Sequence, residues 1–259
     1  MKDWIGEQMN DDSMSLIDHL GELRKRIIWI LMVLGTTMVG GFFAAKPLLE
    51  FIKGRAPAKD IQWNAFALWD GLRVYMQFAF IIALVITIPF TLYHLWSFVK
   101  PGLREIEQKA TLRYIPYTVV LFLVGLSFAY FIVFPLAFSF ASDLNKGMNL
   151  TETYGISQYF SFMFNILLPI SLLFELPVVI MFLTRIRLLN PVRLRKARRY
   201  AYMILVIIST TVTPPDVISV IVVAIPLILL YEVSVFFSLM IHRKQLVDDA
   251  AWEAEFGPK

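Results

Sequence analysis

His19-Leu20-Gly21-Glu22-Leu23-Arg24-Lys25-Arg26 sets one carboxylate a helical turn ahead of a cluster of three cations, and the 19 residues that follow, Ile27 to Ala45, carry no charge. As a helix, 19 residues rise about 28 Å, close to the roughly 30 Å thickness of a bilayer's hydrocarbon core. A charged helical segment therefore runs straight into a membrane span. Ser15 followed three residues later by Asp18 fits a capping box, and Ile17, Leu20 and Leu23 repeat at helical spacing. These features predict an interfacial helix that starts near Ser15, with residues 1–12 frayed. Gly35, Gly40 and Gly41 lie within the span, where small residues let neighbouring helices approach closely.

Outward from this junction the pattern repeats. The chain has 259 residues, 58% of them hydrophobic, and a mean hydropathy of +0.66. Its charges fall in bunches separated by long apolar runs. Spans are predicted at 27–45, 74–98, 114–142, 158–184, 200–212 and 217–241. The expected fold is all-α: one polytopic membrane domain, 1–259, with six transmembrane helices. Span three is longer than a crossing requires and should tilt or project. Span five has 13 residues and covers only about 20 Å. Pro47, Gly54, Pro57 and Asp60 predict a loop from 46 to 73 built of short surface helices. The basic stretch 185–199 reads as a loop, and 242–259 as a polar tail.

Charge placement gives the orientation. Six spans put both termini on one side. The N-terminal segment, loop 99–113, loop 185–199 and the tail hold 18 of the 24 Lys and Arg, and the two alternate loops hold 6. The positive-inside rule then places both termini in the cytoplasm. The polar, acid-bearing start is unlike the short basic start of a cleaved signal peptide. The charges at the membrane ends also imply contact with lipid headgroups.

Several function classes are excluded. No cysteine is present, which removes disulfides, thiolate nucleophiles and cysteine-based metal sites. His19, His94 and His242 are scattered without metal-ligand spacing. No glycine-rich phosphate loop appears. The reading is a non-enzyme, with no catalytic residue, no metal, no cofactor and no nucleic-acid partner. The carboxylates remain. Glu175 stands ten residues before Arg185, about 15 Å into the bilayer. Glu232 stands eleven before Arg243. Acids at such depth face a partner or a cavity. Either they pack helices through hydrogen bonds, with Tyr or Ser the simplest partner for Glu232, or they serve function. The alternative function they support is a proton-coupled secondary transporter, although the inverted repeats common in such proteins are not visible. From spacing alone, Glu22 is most simply an i,i+4 partner of Arg26, a surface interaction of about 0.3–0.5 kcal/mol. Glu107 reads the same way among its cationic neighbours. The basic cluster from Arg193 to Arg199 is most simply a topology signal.

Taken together in order, the motifs resemble the TatC family, the multispanning core subunit of the twin-arginine protein translocase. His19-Leu20-x-Glu22-Leu23-Arg24-x-Arg26 resembles its N-terminal motif, and Phe98-x-x-Pro101-x-Leu103-x-x-x-Glu107 that of its first cytoplasmic loop. Phe128-Ala129-Tyr130-Phe131-x-Val133-Phe134-Pro135, Phe174-Glu175-Leu176-Pro177, Leu194-Arg195-Lys196, Thr213-Pro214-Pro215-Asp216 and Ala224-Ile225-Pro226 with Glu232 continue the resemblance to about residue 240. It implies a receptor in the bacterial cytoplasmic membrane that binds twin-arginine signal peptides and exports folded precursors, driven by the protonmotive force. It implies a signal-peptide site of Glu22, Phe98 and Glu107, with Arg24 of the same motif. It implies a membrane-facing surface, used by the signal peptide and by single-span TatA-type subunits, at Glu175 and the turn Thr213, Pro214, Pro215 and Asp216. A TatB-type subunit is a further candidate partner, within a larger oligomeric complex. The chain departs from the family after that turn, where Val220-Ile221-Val222-Val223 stands in place of a frequent polar residue.

Overall fold

The computed structural model describes residues 2–55, 57–100, 115–213 and 216–256. Among them the chain is helical, without strands. The elements are α1 (Lys2–Lys53), α2 (Asp70–Val99), α3 (Ile115–Phe128), a π turn (Ala129–Val133), α4 (Phe134–Gly147), α5 (Ile156–Leu173), α6 (Leu176–Arg185), α7 (Pro191–Val212) and α8 (Val217–Phe256). Five helical segments are long and apolar enough to cross a membrane: Gly21–Lys53, Asp70–Phe98, Ile115–Gly147, Ile156–Arg185 and Val217–Val247. The apolar half of α7 is shorter than these.

Prolines set the two interruptions. In the third segment the N–H of Phe134 bonds the carbonyl of Ala129, five residues back. Pro135 follows, and its missing donor favours this one-residue insertion. In the fourth, Pro177 removes a donor, and the chain makes a turn at Phe174 and Glu175 between α5 and α6. Glu175 N–H bonds the Leu172 carbonyl three residues back, at 3.1 Å.

α5 is the centre. Its Phe160, Met163, Phe164, Ile166, Leu167 and Ile170 are buried. Phe78 of α2 meets Phe160 and Phe164 edge-on at 5.3 and 4.9 Å. Two glycines permit the close approaches. A Cβ on Gly41 would lie 2.8 Å from the Ala79 carbonyl oxygen, so α1 and α2 touch backbone to backbone there. A Cβ on Gly125 would lie 2.7 Å from Phe174 Cβ and 2.9 Å from Ser171 Cα, so α3 rests directly on the α5–α6 turn.

The fold corrects four expectations. First, α1 is one helix of 52 residues from Lys2, so Ser15 lies mid-helix and residues 2–12 are helical. Second, α1 continues through Pro47 to Lys53. Ala45, Leu49 and Ile52 bury themselves in the core, and that packing outweighs the one bond a helical proline removes. The loop is therefore shorter than 46–73, and α2 begins at Asp70, whose carboxylate accepts from the N–H groups of Phe66 and Ala67 at 2.8 and 2.9 Å. Trp63 stacks on Phe160 at 5.5 Å and fastens this loop to the core. Third, most of the basic stretch 185–199 is helix. Asn190 accepts from Val192 N–H at 2.9 Å and Pro191 takes the first helical position, a standard start signal. Fourth, the tail is helical to Phe256. Gln245 Nε2 donates to the Arg185 carbonyl at 2.8 Å. Arg187 forms a two-bond pair with Asp249, at 2.9 and 2.8 Å.

Candidate functional site

At the basic end of the helices, α1 is clamped to α2 by one side chain. Arg26 Nη1 donates to the His94 carbonyl and Nη2 to the Ser97 carbonyl, both at 3.1 Å. These acceptors lie in the last turns of α2, where carbonyls run short of intrahelical donors and the helix dipole favours a cation. Nη2 of the same guanidinium also pairs with Glu22 Oε1. The Arg26 side chain is 15% exposed and that of Glu22 is 42% exposed. Arg26 is thus sheltered in the joint, and Glu22 is held at its rim.

Phe98 is half-buried in the last turn of α2, one residue beyond the Ser97 acceptor. Trp96, in the same turn, is buried against Phe182 and Ile186 of the α6 end. Lys100 Nζ sits 5.4 Å from the Trp96 ring centre. The middle of α1 and the ends of α2 and α6 are therefore joined around Arg26 and Trp96. Arg24 is exposed and lies about 200° around the helix from Glu22, so it is not brought to that carboxylate. Glu107 lies outside the described residues, as do Pro214 and Pro215.

Glu175 occupies the α5–α6 turn. It is 6% exposed, and neither carboxylate oxygen has a hydrogen-bond partner among the described residues. Around α6 it shares a face with Phe182 and Ile186, which points towards the α2 end. Thr213 and Asp216 do something else. Thr213 Oγ1 donates to the Ser209 carbonyl at 2.7 Å and closes α7. Asp216 Oδ2 accepts from Ser219 N–H at 2.7 Å and caps α8. Neither hydrogen-bonds Glu175. Each closes its own helix end.

Glu232 is not an isolated acid. Its Oε2 accepts from Arg198 Nη2 at 2.6 Å, and its Oε1 accepts from the Tyr202 hydroxyl. Tyr231 donates to the Leu194 carbonyl at 2.8 Å in the same seam. This network fastens the basic half of α7 to α8. It leaves Glu175 as the one of the two without a partner among the described residues and weakens the transporter reading, which needed both. Sequence reasoning missed Arg26 as a joint and Arg198 as the partner of Glu232. In the sequence Arg26 is one of a cluster of three cations and a local partner of Glu22, and nothing local marks which cation reaches another helix. Arg198 and Tyr202 are four apart and share a helix face, a signal available only once 191–199 is read as helix.

The profile described as Sec-independent protein translocase protein (TatC) matches residues 18–226. The chain belongs to the TatC family. It is a polytopic membrane component of Sec-independent protein translocation. The TatC of Halalkalibacterium halodurans is 48% identical over 236 residues, covering 91% of this chain and 93% of its own. TatCy of Bacillus subtilis is 43% identical over 244 residues, covering 94% and 96%. Two crystal structures of the twin-arginine translocase receptor TatC superpose with TM-scores of 0.70 and 0.72, at 28% and 29% identity. They cover 86% and 85% of this chain and 99% of their own.

Proposed function

We propose that this TatC chain is the receptor for twin-arginine signal peptides in a bacterial cytoplasmic membrane, with both termini in the cytoplasm. The observation that carries the reading is the Arg26 clamp. It presents Glu22 at the rim of a joint on the Lys- and Arg-rich end, and Phe98 follows the Ser97 acceptor in that joint. A carboxylate offers about four lone-pair positions, so it can accept from a second guanidinium beside Arg26. Glu107 supplies the other carboxylate, and the pair reads two arginines together. Arginine's planar fork matches a carboxylate in a way lysine's point charge does not. Each charged hydrogen bond adds roughly 1.5–3 kcal/mol. The apolar part of the signal then lies along the membrane face, where Glu175, without a partner among the described residues, offers an acid to a later step. That step engages a single-span TatA-type partner, or a TatB-type one, and is driven by the protonmotive force.

The test is site-specific crosslinking from positions next to Glu107 to a precursor with an Arg-Arg or a Lys-Lys signal. Glu22→Ala with Glu107→Ala should abolish the Arg-Arg adduct while the protein still inserts. Unchanged binding in the double variant would sink the site.

A further inference from the structure

A groove of about 640 Å³ lies between the start of α3, the length of α6 and the last apolar turns of α8. It is not the face already described. Pro177 and Met181, which form its floor, stand about 200° and 240° around α6 from Glu175. Its walls are apolar and reachable sideways from lipid: Leu121, Phe237 and Met240 line it, and Phe237 and Met240 are exposed. Its basic end is different. Arg185 lines it there, 3% exposed, with Nε lacking any partner and the side chain in no ion pair among the described residues. Lys244 stands beside it on α8, exposed. Gln245 holds the Arg185 backbone against α8 through the 2.8 Å bond to its carbonyl. No carboxylate lines the groove among the described residues.

A buried guanidinium without a counter-charge is unfavourable. The site is therefore complete only with an anion. We propose that the groove binds one anionic phospholipid of the adjacent leaflet. The phosphate sits between Arg185 and Lys244, and an acyl chain lies along Leu121, Met181 and Phe237. Arginine binds phosphate oxygens in a fork, and lysine adds a point charge. Tyr117, at the mouth, is an amphipathic ring of the kind that settles at headgroup depth. Two cations without an acid disfavour a lipid whose headgroup brings its own cation. A free phosphate would leave the apolar length of the groove unfilled.

The experiment is native mass spectrometry of the full chain in mild detergent, titrated with phosphatidylglycerol or phosphatidylcholine. Phosphatidylglycerol should be retained about tenfold more strongly or better, the scale of one hydrogen bond to a charged group. Lys244→Gln, at an exposed position, should remove most of that preference. Met181→Trp should block the adduct by filling the groove, and circular dichroism should show its helix content unchanged. Arg185→Gln is avoided because a buried position risks the fold. Equal retention of the two lipids, or phosphatidylglycerol retention unchanged in both variants, overturns the proposal. Displacement by millimolar inorganic phosphate would assign the site to a soluble anion. A single-span protein crosslinked from Leu121 in place of lipid would assign it to a partner helix. Either outcome also overturns it.

Discussion

Arg26→Ala separates the two jobs held at the α1–α2 joint. The substitution removes two bonds to the His94 and Ser97 carbonyls and the pair with Glu22. The carbonyl bonds are charge-assisted and sheltered. At the low end of about 1.5 kcal/mol each they sum to roughly 3 kcal/mol. The Glu22 pair is an i,i+4 contact to a 42% exposed carboxylate, worth about 0.5 kcal/mol or less. The joint therefore depends on the carbonyls, by a factor of about six. In a chain of this size a kcal/mol moves the melting temperature by roughly 2–4 °C. Arg26→Ala should lower the Tm of the detergent-purified protein by about 6–12 °C, and Glu22→Ala by about 2 °C at most. Precursor crosslinking should fail in both, because one loses the carboxylate's position and the other the carboxylate. Equal Tm losses in the two variants would refute the reasoning. Glu22 would then be part of the joint, and its effect on precursor binding would be structural.

Four further outcomes follow from the same geometry. Gly125→Ala should destabilise by about 1–3 kcal/mol through overpacking against Phe174 and Ser171, whereas Gly40→Ala, with nothing within 4 Å of its Cβ, should be neutral or stabilising in thermal unfolding. Glu175→Gln should leave first binding of a precursor intact and stop its transport into vesicles, while full export by Glu175→Leu would reduce this acid to packing. Glu232→Gln should loosen α7 from α8 and raise hydrogen exchange at 194–202, because Arg198 loses its partner; unchanged exchange would count against the seam. Glu152 has its carboxyl held below the ordinary value by hydrogen bonds from Ser142, Tyr154 and Asn145 and by the Lys146 charge. A depressed carboxyl stabilises the folded state above its unfolded value, near 4.3, and loses that contribution as pH falls through the lower folded value. Protection of residues 148–155 should therefore drop below about pH 4, and Glu152→Gln should flatten that dependence.

The long apolar runs were legible because hydrocarbon leaves the backbone only one open-ended solution, the helix. The ends of the helices were not. Pro47 looked like a stop, yet Leu49 and Ile52 behind it have a core to enter, and that core is visible only in three dimensions. The stretch 191–199 reads as a loop because its dense charge masks the Asn190-Pro191 start signal. The acids at the membrane were legible as positions and not as states. Glu175 and Glu232 read alike along the chain, but Arg198 reaches one of them and nothing described reaches the other. The role of Arg26 was hidden for the same reason: its acceptors are 68 and 71 residues away.

The short apolar half of α7 has an electrical consequence. Met203, Ile204 and Ile207 are exposed on it, and lipid that thinned to match it would cover about 20 Å of apolar helix instead of about 30 Å. A potential of about 100 mV does the same work on a crossing charge at any thickness, about 2.3 kcal/mol. Over the thinner slab it falls at about 5 mV per Å, against about 3.3 mV per Å elsewhere. With such thinning the insulating layer beside α7 would be both narrower and under a steeper field than beside the five longer segments. A charged segment led along that helix would then have less hydrocarbon to cross, in a stronger field.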